Sequence, residues 1–584
     1  MPLFRGSASR VRAGRALTLM PTRWIRTPFV VFAAALGVRA VVAAGITFPI
    51  PEGSAYYVAA AQALASGRGL VVDLIWSYTT PPLSLPRPAF DLWQPLASLV
   101  AAPFAALLGS PLVAAQVSTV VLGAVAAPLA WAIARRSAAE LGLPAVRAGA
   151  IALTAGLLVA LTPLLVIQAA EPDSSVPFTV LALAACWWMP SALVERSPRR
   201  SHRALLGAAM GLAYLARQEA LALVLVYVAL AWWTERRERA GGRATVARVA
   251  FTLGAAALVV LPWLVRQAMT WQTSPFGQAL ENAWFVSHTD VFAWSERPTL
   301  AAHLALGLEQ LAGMRLDALI GNVLLVLVAA FPAGLLGTMT LGIRPRLLAT
   351  PSLRPVALVA GLVFLIDVLV FPVASRAGLW SHGSGPAIVL LAVGTALGLD
   401  RAIAAVAAVR GWRAPTAATG RLALLGPLLV TLLALPVMTL AATLEHERSV
   451  VLEAQYAALT ATASRWEASS GPVITDHPMW LNAALGRPAL ALPRESPSAI
   501  VELARHFSAV AVVARDPDAI RVLVALATYG EDGTPCFREL AAPPPFRALA
   551  FLCRTELAST APVLPAPSRA AGTSPYTGQR VWSP

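Results

Sequence analysis

Apolar stretches of about 20 residues recur along the chain between short polar gaps, and that length crosses the hydrocarbon core of a bilayer. The stretches are continuous rather than alternating. That predicts helices instead of barrel strands, because a helix satisfies its own backbone in lipid. Spans are predicted over 27–48, 111–134, 148–167, 176–194, 250–265, 316–341, 356–374, 386–399 and 422–444. Residues 204–234 have arginines beyond both ends, which requires an even number of crossings. A short helical hairpin, 205–216 and 220–234, meets the requirement, with Arg217, Gln218 and Glu219 at its outer tip. The total is about eleven spans.

The gaps set the orientation. Arg5, Arg10, Arg12, Arg15, Arg23 and Arg26 precede the first span, so residues 1–26 are expected on the cytoplasmic side of the cell membrane. The first span is longer than the roughly 7–15 apolar residues of a signal peptide. Residues 49–110 and 266–315 then form exterior loops within a transmembrane domain of 27–444. In the first loop, 54–66 has helical spacing and reads as an interfacial helix ended by Gly67 and Gly69. The proline-rich piece 81–88 breaks any helix, and 93–108 reads as a second interfacial helix. After 444 the pattern changes. Short strands at 473–475, 489–492 and 510–514 alternate with helices at 478–485, 498–507 and 517–529, predicting a small extracytoplasmic α/β domain over 445–558. The Pro-, Ala- and Ser-rich end, 559–584, is expected to be disordered.

Composition agrees with a multi-pass membrane protein: 584 residues, 57% hydrophobic and 13% charged, with a mean hydropathy of +0.67. The net charge of +15 is carried by arginine alone. Because those arginines sit in the gaps between apolar runs, they argue for membrane orientation and against nucleic-acid binding. The lack of lysine excludes Schiff-base chemistry. Cys186 falls in an apolar run and reads as packing. Cys536 and Cys553 form either one disulfide, if the tail is exterior, or two separate buried thiols.

Candidate chemistry lies at the exterior ends of the spans. Glu52, set by Pro49 and Pro51, is either a general base at the membrane surface or a solvated carboxylate. Glu171 and Asp173 form a second acidic pair. Asp173 also fits a helix N-cap, and facing Glu52 the pair would suit an acceptor or a hard cation, Mg²⁺ or Mn²⁺. Arg217 is a good phosphate partner, with a structural ion pair to Glu219 as the competing role. Arg39 and Asp367, inside spans, either neutralise each other or leave Arg39 to snorkel. Arg376, Trp380 and His382 cluster in RAGLWSHGSGP, as phosphate or sugar contacts or as an interfacial anchor. Asp476-His477-Pro478 looks catalytic by composition, and reads more simply as a cap before a helix with Pro at its first position. There is no P-loop, dinucleotide fingerprint, CxxC pair or nucleophile elbow.

Several stretches, in order, carry a family resemblance: PEGSAYYVAAAQALASGRG, FDLWQPLASLVAAPFAALLG, QAAEPDSS, GLAYLARQEALALV and LPWLVRQAMTWQTSPFG. Together they resemble the GT-C superfamily of polyprenyl-phosphate-sugar-dependent glycosyltransferases, in the branch of protein O-mannosyltransferases and the lipid A aminoarabinose transferase. The resemblance is best over 49–277. It implies an inverting transfer of a hexosyl or pentosyl group from a polyprenyl-phosphate donor to an extracytoplasmic lipid, glycan or protein. It implies Glu52 as general base, Glu171 or Asp173 at the acceptor or a metal, and Arg217, with Arg376 and His382, at the donor phosphate. Tyr56, Tyr57, Asp91 and Trp93 would line the substrate loop. Such enzymes usually carry Asp, often Asp-Glu, at this loop position. Here Pro51-Glu52-Gly53 stands there, one methylene longer and without the paired acid. A non-catalytic scaffold or lipid handler that keeps the fold is the rival expectation.

Overall fold

The computed structural model describes residues 27–194, 200–238, 242–271, 279–411, 416–466 and 471–553. The expectations for 1–26 and 559–584 lie outside the described residues. Eleven helices lead from the first span to the large exterior loop. They are α1 (Thr27–Gly45), α2 (Glu52–Ala65), α3 (Leu96–Leu107), α4 (Pro111–Ala124), α5 (Ala126–Glu140), α6 (Ala145–Leu161), α7 (Pro163–Ala170), α8 (Ser175–Val194), α9 (Arg200–Ala216), α10 (Leu221–Glu238) and α11 (Gly242–Thr270). The later long helices are Gly307–Ala329, Ala333–Ile343, Leu353–Leu369, Gly385–Val409 and Thr416–Ala463.

Seven described helices are long and apolar enough to cross a bilayer, or nine if each of two bent pairs is one span. The expected eleven differs from nine by the α9–α10 hairpin. At 17 residues α9 is short, and α10 ends in the charged run Glu235-Arg236-Arg237. Arg217 and the 3₁₀ turn Gln218–Ala220 join the two helices, as the arginine pattern requires. Gly207 and Gly211 let α9 lie against α11. A Cβ on Gly207 would fall 2.2 Å from the Thr252 carbonyl oxygen, and one on Gly211 2.7 Å from that of Ala256. This is close packing of the small-xxx-small type, in which backbones approach where side chains are absent.

The break between α6 and α7 bends the chain by 50°. Pro163 has no N–H, so the Val159 carbonyl loses its helical donor. Arg39, fully buried in α1, supplies one: its Nη2 donates to the Val159 oxygen (3.2 Å) and its Nη1 to that of Ala160 (3.2 Å). Arg39 therefore neither snorkels nor neutralises Asp367.

Outside the bundle, α2 and α3 are the two expected short helices, and α2 ends at Gly67 and Gly69, both at positive φ. The first loop also forms β1 (Val71–Val72), β2 (Leu74–Ile75) and β3 (Arg87–Pro88). The tail supplies β4 (Val473–Thr475), β5 (Ala489–Ala491), β6 (Ala511–Ala514), the small hairpin β7 (Gly530–Glu531) and β8 (Thr534–Pro535), then β9 (Phe537–Leu540) and β10 (Arg547–Phe551). Between the first of these lie helices Pro478–Leu485, Pro497–His506 and Pro517–Ala527. The sheet runs β2-β5-β4-β6-β10-β9, parallel across its first four strands. Its edge strand β2 belongs to the first loop, so that loop and the tail fold as one layer. Helix Thr416–Ala463 has 48 residues and runs unbroken past 445. At 1.5 Å per residue it is about 72 Å long, far beyond a bilayer core. Cys536 and Cys553 are disulfide-bonded, closing the edge of this domain.

Candidate active site

Glu52 opens α2 and faces the sheet domain. Its Oε2 accepts from His477 Nδ1 at 3.0 Å, and its Oε1 accepts from the Met479 N–H at 3.3 Å. His477 Nε2 lies 3.2 Å from Asp516 Oδ2, at an angle too oblique for a regular hydrogen bond. Asp476 Oδ2 accepts the Arg515 and Asp516 N–H groups at 2.9 and 2.8 Å. Burial opposes charge on His477, but Glu52, Asp516 and Asp476 outweigh it and push its pKa up to about 10. The neighbouring His477 in turn holds the Asp516 carboxyl below its ordinary range, against the effect of burial. These residues sit where adjacent parallel strands β4 and β6 end. The crevice beyond the carboxyl ends of strands is the usual place for a site in such sheets. In the sequence Asp476-His477 reads as a helix start in preference to a catalytic pair, and Pro478 does take the first helical position. The available signal was a polar pair following a strand twice over, Asp476-His477 and Arg515-Asp516.

The second cluster lies at the outer ends of α7, α8 and α9. Burial opposes ionisation of Asp173, but His382 and Ser175 outweigh it and hold the carboxyl below its ordinary range. His382 Nδ1 is 2.7 Å from Asp173 Oδ2, and 2.7 Å from the Ser175 hydroxyl. Asp173 Oδ1 accepts the Ser175 N–H at 2.7 Å, which is the N-cap role read from the sequence. Gln168 ties the His382 segment down by donating to the Ser381 carbonyl at 2.8 Å. Arg217 Nε donates to Glu219 Oε1 at 2.9 Å, Nη2 reaches the same oxygen, and Nη1 donates to Ser174 Oγ at 2.9 Å. Tyr57 of α2 faces Ser174 and lies within electrostatic reach of Arg217. Gln218 donates to the Leu92 carbonyl at 3.2 Å, joining the hairpin tip to the first loop. Asp367 is fully buried nearby, with neither carboxylate oxygen hydrogen-bonded among the described residues.

The structure thus separates residues expected together. Glu52 pairs with the sheet domain, not with Glu171 or Asp173. Tyr57 follows Glu52 by five positions on α2, about 7.5 Å along the helix axis. Burial raises the Glu171 carboxyl well above its ordinary range, helped by Glu445 and Asp173, and its Oε1 has no hydrogen-bond partner among the described residues. With Asp173 fully engaged, the pair does not present two free carboxylates to one cation. Asp476, His477 and Asp516 bring one ligand atom each within 4.8 Å of one another. Both ring nitrogens of that histidine, however, already face carboxylates. Arg376 pairs with Asp317 at 3.1 Å on the helix Gly307–Ala329, half exposed and apart from Arg217. His382 meets Asp173 rather than standing free for a phosphate.

The substrate loop is also partly reassigned. Arg87 and Asp91 form a buried ion pair at 2.7 Å, and Arg87 further donates to the Ser77 and Thr80 carbonyls. The Tyr56 hydroxyl accepts the Phe90 N–H at 2.7 Å. Asp91 and Tyr56 therefore hold the loop's own shape. Trp93 is half-buried, stacked between Trp76 (4.7 Å) and Tyr57 (5.8 Å). Its ring end lies 3.7 Å from where a Cβ on Gly53 would stand, so a side chain there would only touch it. His288 lies within electrostatic reach of Glu52; burial lowers its pKa. His303 instead uses Nδ1 on the Trp284 carbonyl at 3.2 Å.

No family model and no curated protein sequence matches the chain. Its structure is similar to that of ArnT from Cupriavidus metallidurans bound to undecaprenyl phosphate. The identity is 15%, the TM-score 0.52, and the match covers 91% of this chain and 99% of that one. The apo state of the same enzyme gives 16% identity and a TM-score of 0.52, over 91% and 98% of the two chains. The chain shares the fold of that structure, a multi-pass helical bundle carrying a small sheet-containing domain.

Proposed function

We propose that this chain is an integral membrane glycosyltransferase that moves a sugar from a polyprenyl-phosphate donor to an acceptor outside the membrane. The observation that carries the reading is α2. This one short helix holds a carboxylate, Glu52, at its start and sets Tyr57 against the buried Arg217 cluster little more than a turn further on. A lipid phosphate would reach Arg217 from the membrane edge, and no nucleotide pocket is needed.

In the reaction, an acceptor oxygen or nitrogen attacks the anomeric carbon. The bond from that carbon to the phosphate oxygen breaks with inversion, and the phosphate leaves with the electron pair. Arg217 would hold the leaving phosphate, since a guanidinium fork matches its oxygens. Glu52 would take the acceptor's proton. His477 fixes the direction of that carboxylate through its Nδ1. The Asp173–His382 pair would orient the acceptor. No metal step is assigned.

The test is transfer of label from polyprenyl-phosphate sugars in membranes holding the full chain. Glu52→Gln is expected to reduce transfer by about 10²–10⁴-fold with the sheet domain still docked. Equal transfer by the variant removes the base assignment. The engagement of Glu52 by His477 also fits a non-catalytic protein that keeps the fold. Transfer from no donor by the unaltered chain would select that reading.

A further inference from the structure

A cavity of about 190 Å³ lies at the other end of the bundle, between the ends of α8 and α10 and the start of Leu353–Leu369. Its wall includes Pro190, Leu230, Trp233, Arg237, Pro351 and Arg354. Arg354 lies thirteen residues before Asp367 on one helix, about 20 Å along the axis, so this cavity is remote from the candidate active site. Both guanidiniums bear on the same indole, Arg237 at 4.0 Å and Arg354 at 4.3 Å from the Trp233 ring centroid. Two cations on one ring repel each other. Among the described residues neither has a carboxylate within 4.0 Å to offset this. Of the acids at this end, Glu140 is taken by Arg136 at 3.4 Å and by the Ser352 hydroxyl at 2.6 Å, while Glu235 and Glu238 stand in the last turn of α10.

We propose that this cavity binds the phosphate of an anionic phospholipid in the leaflet facing the arginine-rich loops. Two guanidiniums lining one cavity, neither with a carboxylate within 4.0 Å among the described residues, offer charge partners for one phosphodiester. The remaining wall is proline, leucine and an indole, which suits the glycerol and first methylenes of a lipid and offers little to a hydrated ion. Trp233 is partly exposed, and indoles favour the membrane interface. Room for roughly six waters at about 30 Å³ each is enough for a phosphodiester. Basic pockets between membrane helices on this side are a recurrent form of lipid headgroup recognition.

The test uses the purified full chain in detergent, titrated with phosphatidylglycerol and separately with phosphatidylcholine, with retained lipid read by native mass spectrometry. Phosphatidylglycerol is expected to be retained where phosphatidylcholine is not. The double variant Arg237→Gln, Arg354→Gln is expected to weaken that retention about tenfold, while Trp233→Phe, which keeps a ring, leaves most of it. Equal retention of the two lipids by the unaltered chain overturns the proposal, and this arm does not depend on any variant folding. Unchanged retention by the double variant also overturns it. Displacement of the bound lipid by equimolar inorganic phosphate would assign the cavity to a soluble anion and overturn the lipid assignment.

Discussion

At Arg217 the Nε and Nη2 edge of the guanidinium is held by Glu219, the same edge a phosphate fork would take. If Arg217 receives the donor, Glu219 competes with it. Glu219→Gln is then expected to lower the donor KM by about three- to tenfold, since a charged partner is replaced by a neutral one. A raised KM would mean that Glu219 positions Arg217 instead. His477 gives a pH prediction at the same scale. Its pKa rises from about 6.5 unfolded to about 10 folded, so its stabilising effect is fully present below about pH 6.5. It declines as pH rises and is gone above about pH 10. Hydrogen-exchange protection in Pro478–Leu485, after correction for the intrinsic rate at each pH, should therefore fall between those values, and His477→Gln should remove that fall. Protection that does not change with pH in the unaltered chain would show that the pair with Glu52 does not anchor the domain. Glu52 and Arg217 could be picked out from the sequence because ionisable groups next to apolar spans stand out. The pairing of His477 with Glu52 could not, because the two lie 425 residues apart.

At the level of elements, the clearest sequence rule is where a helix can and cannot continue. Pro163 stops α6, and Pro478, Pro497 and Pro517 each start a helix in the sheet domain. The packing of α9 on α11 rests on missing side chains. Gly207→Val would drive a methyl into the Thr252 backbone and should cost about 1–3 kcal/mol or separate the two helices. Thermal denaturation of the purified chain measures this, with Gly254→Val as a control, since a Cβ there meets nothing within 4 Å. Equal loss at both positions would point to glycine's general role in the helices and not to this contact. The strand β2 was not legible. Two residues, Leu74 and Ile75, carry no alternation of their own and become a strand only when Ala489 and Leu490 lie alongside.

For the whole molecule, arginine placement predicts the sheet domain outside the cell and the arginine-rich loops inside. A reporter that is active only outside, joined after residue 553, should be active, and the same reporter inserted at 239 should be silent. The reverse pattern would invert the topology and place the proposed site on the wrong side for an exterior acceptor. The sequence by itself determined a multi-pass helical chain with a mixed α/β tail, because span length, arginine bias and the change from continuous to alternating patterns are local properties. The tertiary structure alone decided what each carboxylate meets. Glu52 goes to His477, Asp173 to His382, Asp91 to Arg87 and Arg39 to the carbonyls that Pro163 leaves open. In low-dielectric surroundings the partner fixes a charged group's role, and three of these four partners lie more than 100 residues away in the chain.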